Sequence, residues 1–424
     1  MPLHHESLHS WTSVADTFSI FFAHHPNSFW LDREHHPTAR FSIIGVGTIS
    51  DSPDFSFSGE EADLPFPFRP HLVGVVHYST EPGQIQGFDL LEVDRAFVFD
   101  HDRRRLHFVG RFDTRKEFEA WHHAALLRLA LIGGDSAAHQ LNRPAATSAK
   151  LVCLDQVAGY KQKIEASKDA IARGEVYQIC LTTALEGDYQ GDELSFFLRL
   201  RRQNPAPYAA FIRVGGRTFV SISPERFITV TGSAVTSSPI KGTRPRGNSS
   251  EADEILRSEL SLSQKEQAEN LMIVDLVRND LSKVCKPESV AVSGLMQVQS
   301  YSTVHQLVSD VRAELRDGLD GTAALRALLP GGSMTGAPKR RAMQLLAELE
   351  SRDRGPYSGG IGWIGYGGEM DLGMVIRTAI FENGKVRIDI GGGITSDSEP
   401  EAEHQEIQVK ARALVAALSA SVDW

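Results

Sequence analysis

Two stretches far apart in the chain each carry carboxylates three residues apart: Glu266 and Glu269 in SLSQKEQAENLMIVDLVRND, and Glu403 and Glu406 in SDSEPEAEHQEIQVK. That spacing places both carboxylates of a pair on one face of a helix. Hard oxygen donors of this kind suit Mg²⁺ better than zinc or copper, so the two pairs could together cage one hard cation and offer it to a substrate bearing its own carboxylates. The plain alternative is two solvated acidic helix faces. A capping box of Ser263 with Glu266 opens the first helix, and Ser398 with Glu401 marks a second. Glu266 therefore has a structural job available, and Glu269 and Glu406 are the safer ligands.

Other segments also point to chemistry. IGGGITSDSEPE puts Gly391, Gly392 and Gly393 between an expected strand and a helix start, where bare backbone N–H groups can approach an anion. PGGSMTGAPKRRAMQLL repeats that grammar, with Pro338 near a helix start and Lys339 to Arg341 supplying positive charge. Ser223-Pro224-Glu225 ends one strand and PIKGTRPRG, Pro239 to Gly247, ends the next, which brings Glu225 and Lys241 to the same sheet edge. A lysine flanked by Ile240 and Gly242 there would be partly desolvated, which lowers its pKa and makes it a usable nucleophile or base.

These residues need a scaffold of strands and helices. FSIIGVGTI, HLVGVVHY and FDLLEVDRAFVFDHDRRRLHFVGRF read as strands and hairpins, with the turn of the last at Asp100 to Arg105. A helix is expected at 115 to 132, and a loop-rich boundary at 135 to 150. YKQKIEASKDAIARGE places Tyr160, Ile164 and Ile171 at helical period, stops at Gly174 and leads into the strand VYQICLTTAL. Strand pairs recur after it, with turns at Gly215-Gly216 and Thr231-Gly232. Antiparallel hairpins rather than regular βαβ units predict an α+β fold.

Composition excludes several classes. With 424 residues, 41% hydrophobic and 23% charged, the chain can bury a large core. A formal net charge of −10 removes the broad attraction that nucleic acid or an anionic membrane requires. Cys153, Cys180 and Cys285 have neither the number nor the spacing of a disulfide framework or zinc site, which points to a reducing compartment, the cytoplasm. No apolar run reaches transmembrane length, and MPLHHESLHSWTSV lacks the features of a signal peptide. Seven of the sixteen histidines fall in the first 36 residues, six of them as neighbours (His4 and His5, His24 and His25, His35 and His36) rather than at ligand spacing, and they are expected at the surface.

The motifs VYQICL, SPE, PIKGTRPRG, KEQAENLMIVDLVRNDL, VHQLVS, PGGSMTGAPKRRAM, RGPYSGGIG, IRTAI and GGGITSDSEPEAEHQE, in this order, resemble the chorismate-utilising enzymes. That family includes anthranilate, aminodeoxychorismate, isochorismate and salicylate synthases. The resemblance covers residues 155 to 415 and extends into the N-terminal region through FWLDREHHPTARFSIIG. It implies two packed antiparallel β-sheets with helices outside and the active site in the cleft between them. An N-terminal region, 1–145, and a chorismate-binding region, 150–424, would be intertwined.

The resemblance also assigns roles. Mg²⁺ would bridge the ring carboxylate of chorismate to Glu269 and Glu406 directly and to Glu266 and Glu403 through water. Tyr357, Arg377 and Lys410, with backbone from Gly391 and Gly393, match the site for the enolpyruvyl carboxylate, and Gln178 and Thr243 complete the substrate-binding set. Glu225 matches the general acid that protonates the departing C4 hydroxyl. Members that add water carry a lysine base where this chain has Gln178; a glutamine cannot deprotonate water, which points to ammonia as nucleophile. Anthranilate synthases resemble PIAGT where this chain reads PIKGT, as aminodeoxychorismate synthases do. The implied reaction is amination of chorismate to 4-amino-4-deoxychorismate, towards 4-aminobenzoate and folate, with amination at C2 and loss of pyruvate as the alternative.

Further expectations follow from departures. LVCLD, QICLT and KVCKP lack the Gly-x-Cys-x-Gly turn of a glutamine amidotransferase nucleophile, so a partner glutaminase would supply the ammonia. The chain ends fourteen residues after Lys410, leaving no room for a fused lyase. Leu31-Asp32-Arg33 departs from the Leu-Leu-Glu-Ser element of tryptophan-inhibited members, so that inhibition is not expected. Gln306 stands where members commonly have a histidine before LVS, with His305 one residue earlier. Either His305 is repositioned or its contribution is absent.

Overall fold

The computed structural model describes residues 1–34, 36, 39–51, 63–130, 132, 149–301 and 304–424. The first part of the chain runs β1 (Leu3–Leu8), α1 (Val14–Phe21), β2 (Ser28–Asp32), β3 (Phe41–Ile49), β4 (Leu72–Val76), β5 (Phe88–Asp100), β6 (Arg105–Arg111) and α2 (Arg115–Leu129). The middle part runs β7 (Lys150–Cys153), α3 (Val157–Ala172), β8 (Gln178–Asp188), α4 (Glu193–Gln203), β9 (Tyr208–Val214), β10 (Arg217–Ser223), β11 (Arg226–Thr231), β12 (Ala234–Ser238) and β13 (Ile240–Pro245). Next come α5 (Ser250–Leu262), α6 (Gln264–Ser282), β14 (Ala291–Ser300), β15 (Val304–Glu314), α7 (Gly321–Leu328), β16 (Gly336–Ala337) and α8 (Lys339–Glu350). The last elements are β17 (Gly360–Ile364), β18 (Met370–Met374), β19 (Thr378–Glu382), β20 (Lys385–Ile394), α9 (Pro400–Ala417) and β21 (Ser421–Asp423).

The strands form two sheets joined at β5. Its residues Phe88–Glu92 pair with β4, whereas Arg95–Asp100 pair with β6. One sheet runs β1-β6-β5-β3-β2-β9-β10-β19-β20-β8, and the other runs β5-β4-β17-β18-β11-β12-β15, with β13 and β14 on either edge of β15. All pairings are antiparallel except β7 with β21. N-terminal strands belong to both sheets, since β2 pairs with β9 and β4 with β17.

Alternation along the strands explains the layering. In β5, Ala96 and Val98 join the core between the sheets, while Phe97 and Phe99 join the core under the helices; Phe29 and Leu31 of β2 face in, and Trp30 faces out. The outer face of the first sheet is covered by α1 to α4, α8 and α9, and that of the second by α6 and α7. The result is the expected pair of packed antiparallel sheets with helices outside.

Most expected elements stand. The Gly215-Gly216 turn has φ of +59° and +83°, a backbone that glycine adopts without strain and that suits a two-residue hairpin. The expected boundary at 135 to 150 falls largely outside the described residues. The histidine expectation stands for His9, His24 and His25, which are exposed, but not throughout: His4 stacks on Phe118 at 5.6 Å, and burial with the neighbouring Arg33 pushes the pKa of His36 down to about 3. The Asp32-Arg33 segment is tied in place, with Asp32 bound to Arg201 at 2.7 Å and Arg33 to Asp371 at 3.3 Å.

The capping boxes are also corrected. Ser263 does cap α6, but the Glu266 side chain turns away to Arg244, 3.6 Å distant. At α9 the cap residue is Glu399 without a side-chain bond, Ser398 donates to Glu403 at 2.7 Å, and Glu401 pairs with Lys161. Glu266 is therefore free of the structural role the sequence suggested.

Candidate active site

Glu225 sits in the connection that passes from β10 of the first sheet to β11 of the second and is buried. Its Oε1 accepts a hydrogen bond from Ser333 Oγ at 2.9 Å. Burial pushes its pKa up to about 7, against the opposing pull of Ser333, Lys241, the Ile240 amide and Arg377. A carboxyl group that keeps its proton near neutrality can donate it to a leaving group.

Lys241 approaches from β13. A register shift between Ile240 and Thr243, with Gly242 at φ +86°, kinks the strand and aims the lysine inward. Its Nζ lies 3.9 Å from Glu269 Oε2. A Cβ on Gly393 would stand 2.5 Å from Gln178 Nε2 and 3.4 Å from Lys241 Nζ, so glycine here leaves room for both side chains. Gln178 and Gly393, on β8 and β20 of the first sheet, thus meet Lys241 of the second.

Lys241 is not primed as the sequence suggested. Burial alone would lower its pKa, but Glu269, Cys180, Glu225 and Glu406 outweigh it and the net shift is upward. The resting group is an ammonium ion that must lose a proton before it can attack. The glycine run is corrected too: Gly391 to Gly393 lie inside β20, in register with Thr182, Leu181 and Cys180, rather than in a turn. The use of Gly391 and Gly393 is space, since a Cβ would lie 2.6 Å from the Leu181 carbonyl oxygen at the first and 2.5 Å from Gln178 Nε2 at the second, whereas one on Gly392 would make ordinary contacts with Glu403 and Lys410.

The four glutamates converge from α6 and α9. Lys410 Nζ bridges Glu406 at 2.7 Å and the Gly391 carbonyl at 2.8 Å, and it holds the Glu406 carboxyl low. Burial raises the pKa of Glu269; Lys241 opposes this, while Glu266 and Glu406 add to it. Lys265 Nζ lies 3.6 Å from Glu403 Oε1, and the fields of Glu403, Glu269, Glu406 and Glu266 outweigh its burial and raise its pKa.

This donor set suits a hard dication. It is all carboxylate, already draws ammonium groups, and is flanked by Gly242, whose Cβ would crowd the Glu266 carboxylate at 3.0 Å. It is not the closed cage expected from spacing alone: among the described residues, no three His, Cys, Asp or Glu side chains are grouped tightly enough to hold an ion. Mg²⁺ characteristically uses one or two carboxylates and completes its shell with water and substrate.

Arg377 has a left-handed backbone, φ +49°, and forms no ion pair among the described residues. Burial lowers its pKa, with Glu225 opposing. Strain of this kind is concentrated at functional sites, and a guanidinium without an anion partner is suited to bind a carboxylate in bidentate fashion. Tyr357 is buried beside Cys180 and Arg354, and burial holds its hydroxyl protonated.

Thr243, two residues beyond Lys241 on β13, is exposed. Two expectations do not reach the site. His305 is buried and fixed by Asp253 at 2.9 Å and Ser300 at 2.8 Å, so it is not repositioned to serve the site. Lys339 is half-buried and neutralised by Asp280, with the Pro330 carbonyl as a second acceptor, and Arg341 pairs with Glu175, so neither extends a cationic surface.

Other residues emerge only in three dimensions. Arg354 is fully buried, pairs with Glu350 at 2.7 Å, and donates to the carbonyls of Cys180 at 2.8 Å and Met334 at 2.6 Å. Glu350 in turn accepts from the backbone and hydroxyl of Thr182. The pair ties β8, which carries Gln178, to the loop that carries Ser333. Arg354→Met leaves the Glu350 charge uncompensated and is expected to cost about 3–5 kcal/mol, read from the urea midpoint.

Comparison with known proteins agrees with this geometry. The family model for chorismate binding enzymes matches residues 51–416. The chain is 39% identical over 372 residues to a Streptomyces griseus protein named aminodeoxychorismate synthase, covering 84% of this chain and 51% of that protein. It thus spans about half the length of that relative. It is 34% identical to anthranilate synthase component 1 of Thermus thermophilus, covering 93% of this chain and 92% of the relative. Anthranilate synthase component I from Streptococcus pneumoniae superposes with a TM-score of 0.78 at 27% identity, covering 89% of this chain and 92% of that one. No helix among the described residues is long and apolar enough to cross a membrane. With its motifs gathered into one site and the family model matched along most of its length, the chain belongs to the chorismate-binding enzymes.

Proposed function

We propose that the protein aminates chorismate with ammonia to give 4-amino-4-deoxychorismate in a Mg²⁺-dependent reaction. The observation that carries this reading is Lys241, half-buried beside Glu269 and facing Gln178 across Gly393. In the first displacement the unprotonated Lys241 amine attacks C2, the ring diene shifts, and the C4–O bond breaks. Glu225 gives its proton to the departing oxygen, which leaves as water. In the second, ammonia attacks C4, the diene shifts back, and the Lys241 nitrogen leaves C2. Two such displacements amount to substitution of hydroxyl by amine at C4.

Gln178 supplies no base for water, so ammonia is the competent nucleophile. Arg377, Tyr357 and Lys410 orient the enolpyruvyl carboxylate. Glu269 and Glu406 would hold Mg²⁺ directly, with Glu266 and Glu403 behind them, and the ion when bound neutralises the ring carboxylate and orients it. A separate glutaminase in a cytoplasmic assembly is the proposed source of ammonia, and folate synthesis the proposed context.

The decisive assay incubates the protein with chorismate, Mg²⁺ and ammonium salt. The expected product becomes 4-aminobenzoate only when an aminodeoxychorismate lyase is added. Anthranilate fluorescence without the lyase would overturn the assignment in favour of C2 amination, a reading kept in view by the relative of which 92% is covered. Unchanged chorismate with every nitrogen source would remove catalysis altogether.

The metal has its own test. Lys265 presents a positive charge to all four glutamates, so it competes with an added cation. Lys265→Met is expected to tighten Mg²⁺ binding by roughly one order of magnitude in calorimetric titration, after allowance for its half-exposed position.

A further inference from the structure

Ser333 has no role in the reaction as described, yet among the described residues its hydroxyl bonds one side chain, that of the general acid. We infer that Ser333 is a positioning residue for proton delivery: by donating its hydroxyl to Oε1 of Glu225, it keeps that oxygen an acceptor and leaves the acid proton on Oε2. This inference rests on the assignment of Glu225 as the acid.

The geometry supports a fixed donor. Met334 N bonds to the Gly331 carbonyl at 3.0 Å, and Thr335 Oγ1 to the carbonyls of Gly331 and Gly332 at 3.2 and 3.4 Å. Arg354 grips the Met334 carbonyl, and a Cβ on Gly332 would lie 3.1 Å from Leu276 Cβ on α6. The loop is therefore clamped on both sides of Ser333. A carboxylic acid has two nearly equivalent oxygens, and an O–H donor on one of them selects the other as the protonated site. When the C4–O bond breaks, the Oε2 proton goes to the departing oxygen, and Glu225 is left as a carboxylate whose new charge Ser333 stabilises through Oε1. The charged groups facing Glu225 are Lys241 from β13 and Arg377 from the β18–β19 connection, both cationic and both unchanged by substitution at 333.

The test is a kcat–pH profile of chorismate consumption at constant free ammonia for wild type, Ser333→Ala, Ser333→Thr, Ser333→Cys and Glu225→Gln. Ser333→Ala is expected to lower kcat about tenfold, the effect of losing one hydrogen bond to a developing charge, with the KM for chorismate little changed. Because the lost bond favoured the ionised form, the limb of the profile that Glu225 sets, a rise that levels off near its pKa, moves to higher pH. Ser333→Thr keeps a hydroxyl and restores the limb and most of the rate; Ser333→Cys, a weak donor, falls between.

Wild-type kcat and limb in Ser333→Ala would overturn the inference. Should that variant not fold, a wild-type limb in Ser333→Cys does the same. If Glu225→Gln keeps the wild-type rate, it is the general-acid assignment that fails, and the two outcomes are distinguishable.

Discussion

Glu225→Gln is expected to lower kcat for chorismate consumption about 10²- to 10⁴-fold, the range for losing a positioned general acid, while the KM for chorismate changes far less. Glutamine preserves the size of the side chain and a carbonyl oxygen for Ser333, but its amide has no acidic proton to give. The wild-type carboxyl is buried, and its pKa is pushed up to about 7 by desolvation, so the competent, protonated form predominates below that value. Lys241 must also lose a proton, and its pKa is raised above the ordinary 10.5. The fraction of enzyme with Glu225 protonated and Lys241 neutral therefore climbs with pH, at constant free ammonia, and levels off above about 7; the residual activity of the variant lacks that break.

Stability carries the same signature. The native pKa of Glu225 lies above the ordinary 4.5, so between 4.5 and about 7 the native state binds more proton than the unfolded chain. Its contribution then declines as pH rises through that window, and glutamine removes the decline. A variant with wild-type kcat and an unchanged break near 7 would transfer the acid role to another group.

Much of this site could be read from residue types and order. The glutamate pairs, Glu225 and Lys241 are unusual enough in spacing and context to be singled out, and strand alternation such as Ala96-Phe97-Val98-Phe99 announces layers on both faces of a sheet. What failed was reasoning that needed a neighbour from elsewhere in the chain. Lys241 looked poised for a lowered pKa because its own segment is apolar, and the carboxylates that reverse the direction arrive on α6, on α9 and at Glu225. Gly391 to Gly393 looked like a turn because sequence does not distinguish glycine needed for backbone conformation from glycine needed for space.

Ser333 and Arg354 gave weaker signals. Each sits within a motif, but Ser333 meets Glu225 across 108 residues and Arg354 meets the Cys180 carbonyl across 174. No local pattern encodes such contacts. Glu266 was demoted on a local rule, the capping box, because the competing partner Arg244 belongs to β13.

Lys241→Ala is expected to reduce formation of 4-amino-4-deoxychorismate by about two orders of magnitude or more, the scale of losing a covalent nucleophile. Chorismate consumption persists at a lower rate with the amine at C2. Without the lysine nitrogen, ammonia reaches C2 itself, Glu225 still protonates the departing C4 hydroxyl, and no second displacement is available to return the amine to C4. Product identity, read by chromatography and mass, therefore changes as well as rate. Alanine also removes the cation 3.9 Å from Glu269, so charge and nucleophilicity must be separated. Lys241→Arg does this: it keeps a positive charge near Glu269, and its guanidinium does not attack carbon at neutral pH. If arginine retains C4 amination, the lysine acts only as a counter-ion; if both variants lose it and wild type quenched in acid shows an intact-mass increase of chorismate less water on Lys241, the lysine is the group that selects C4.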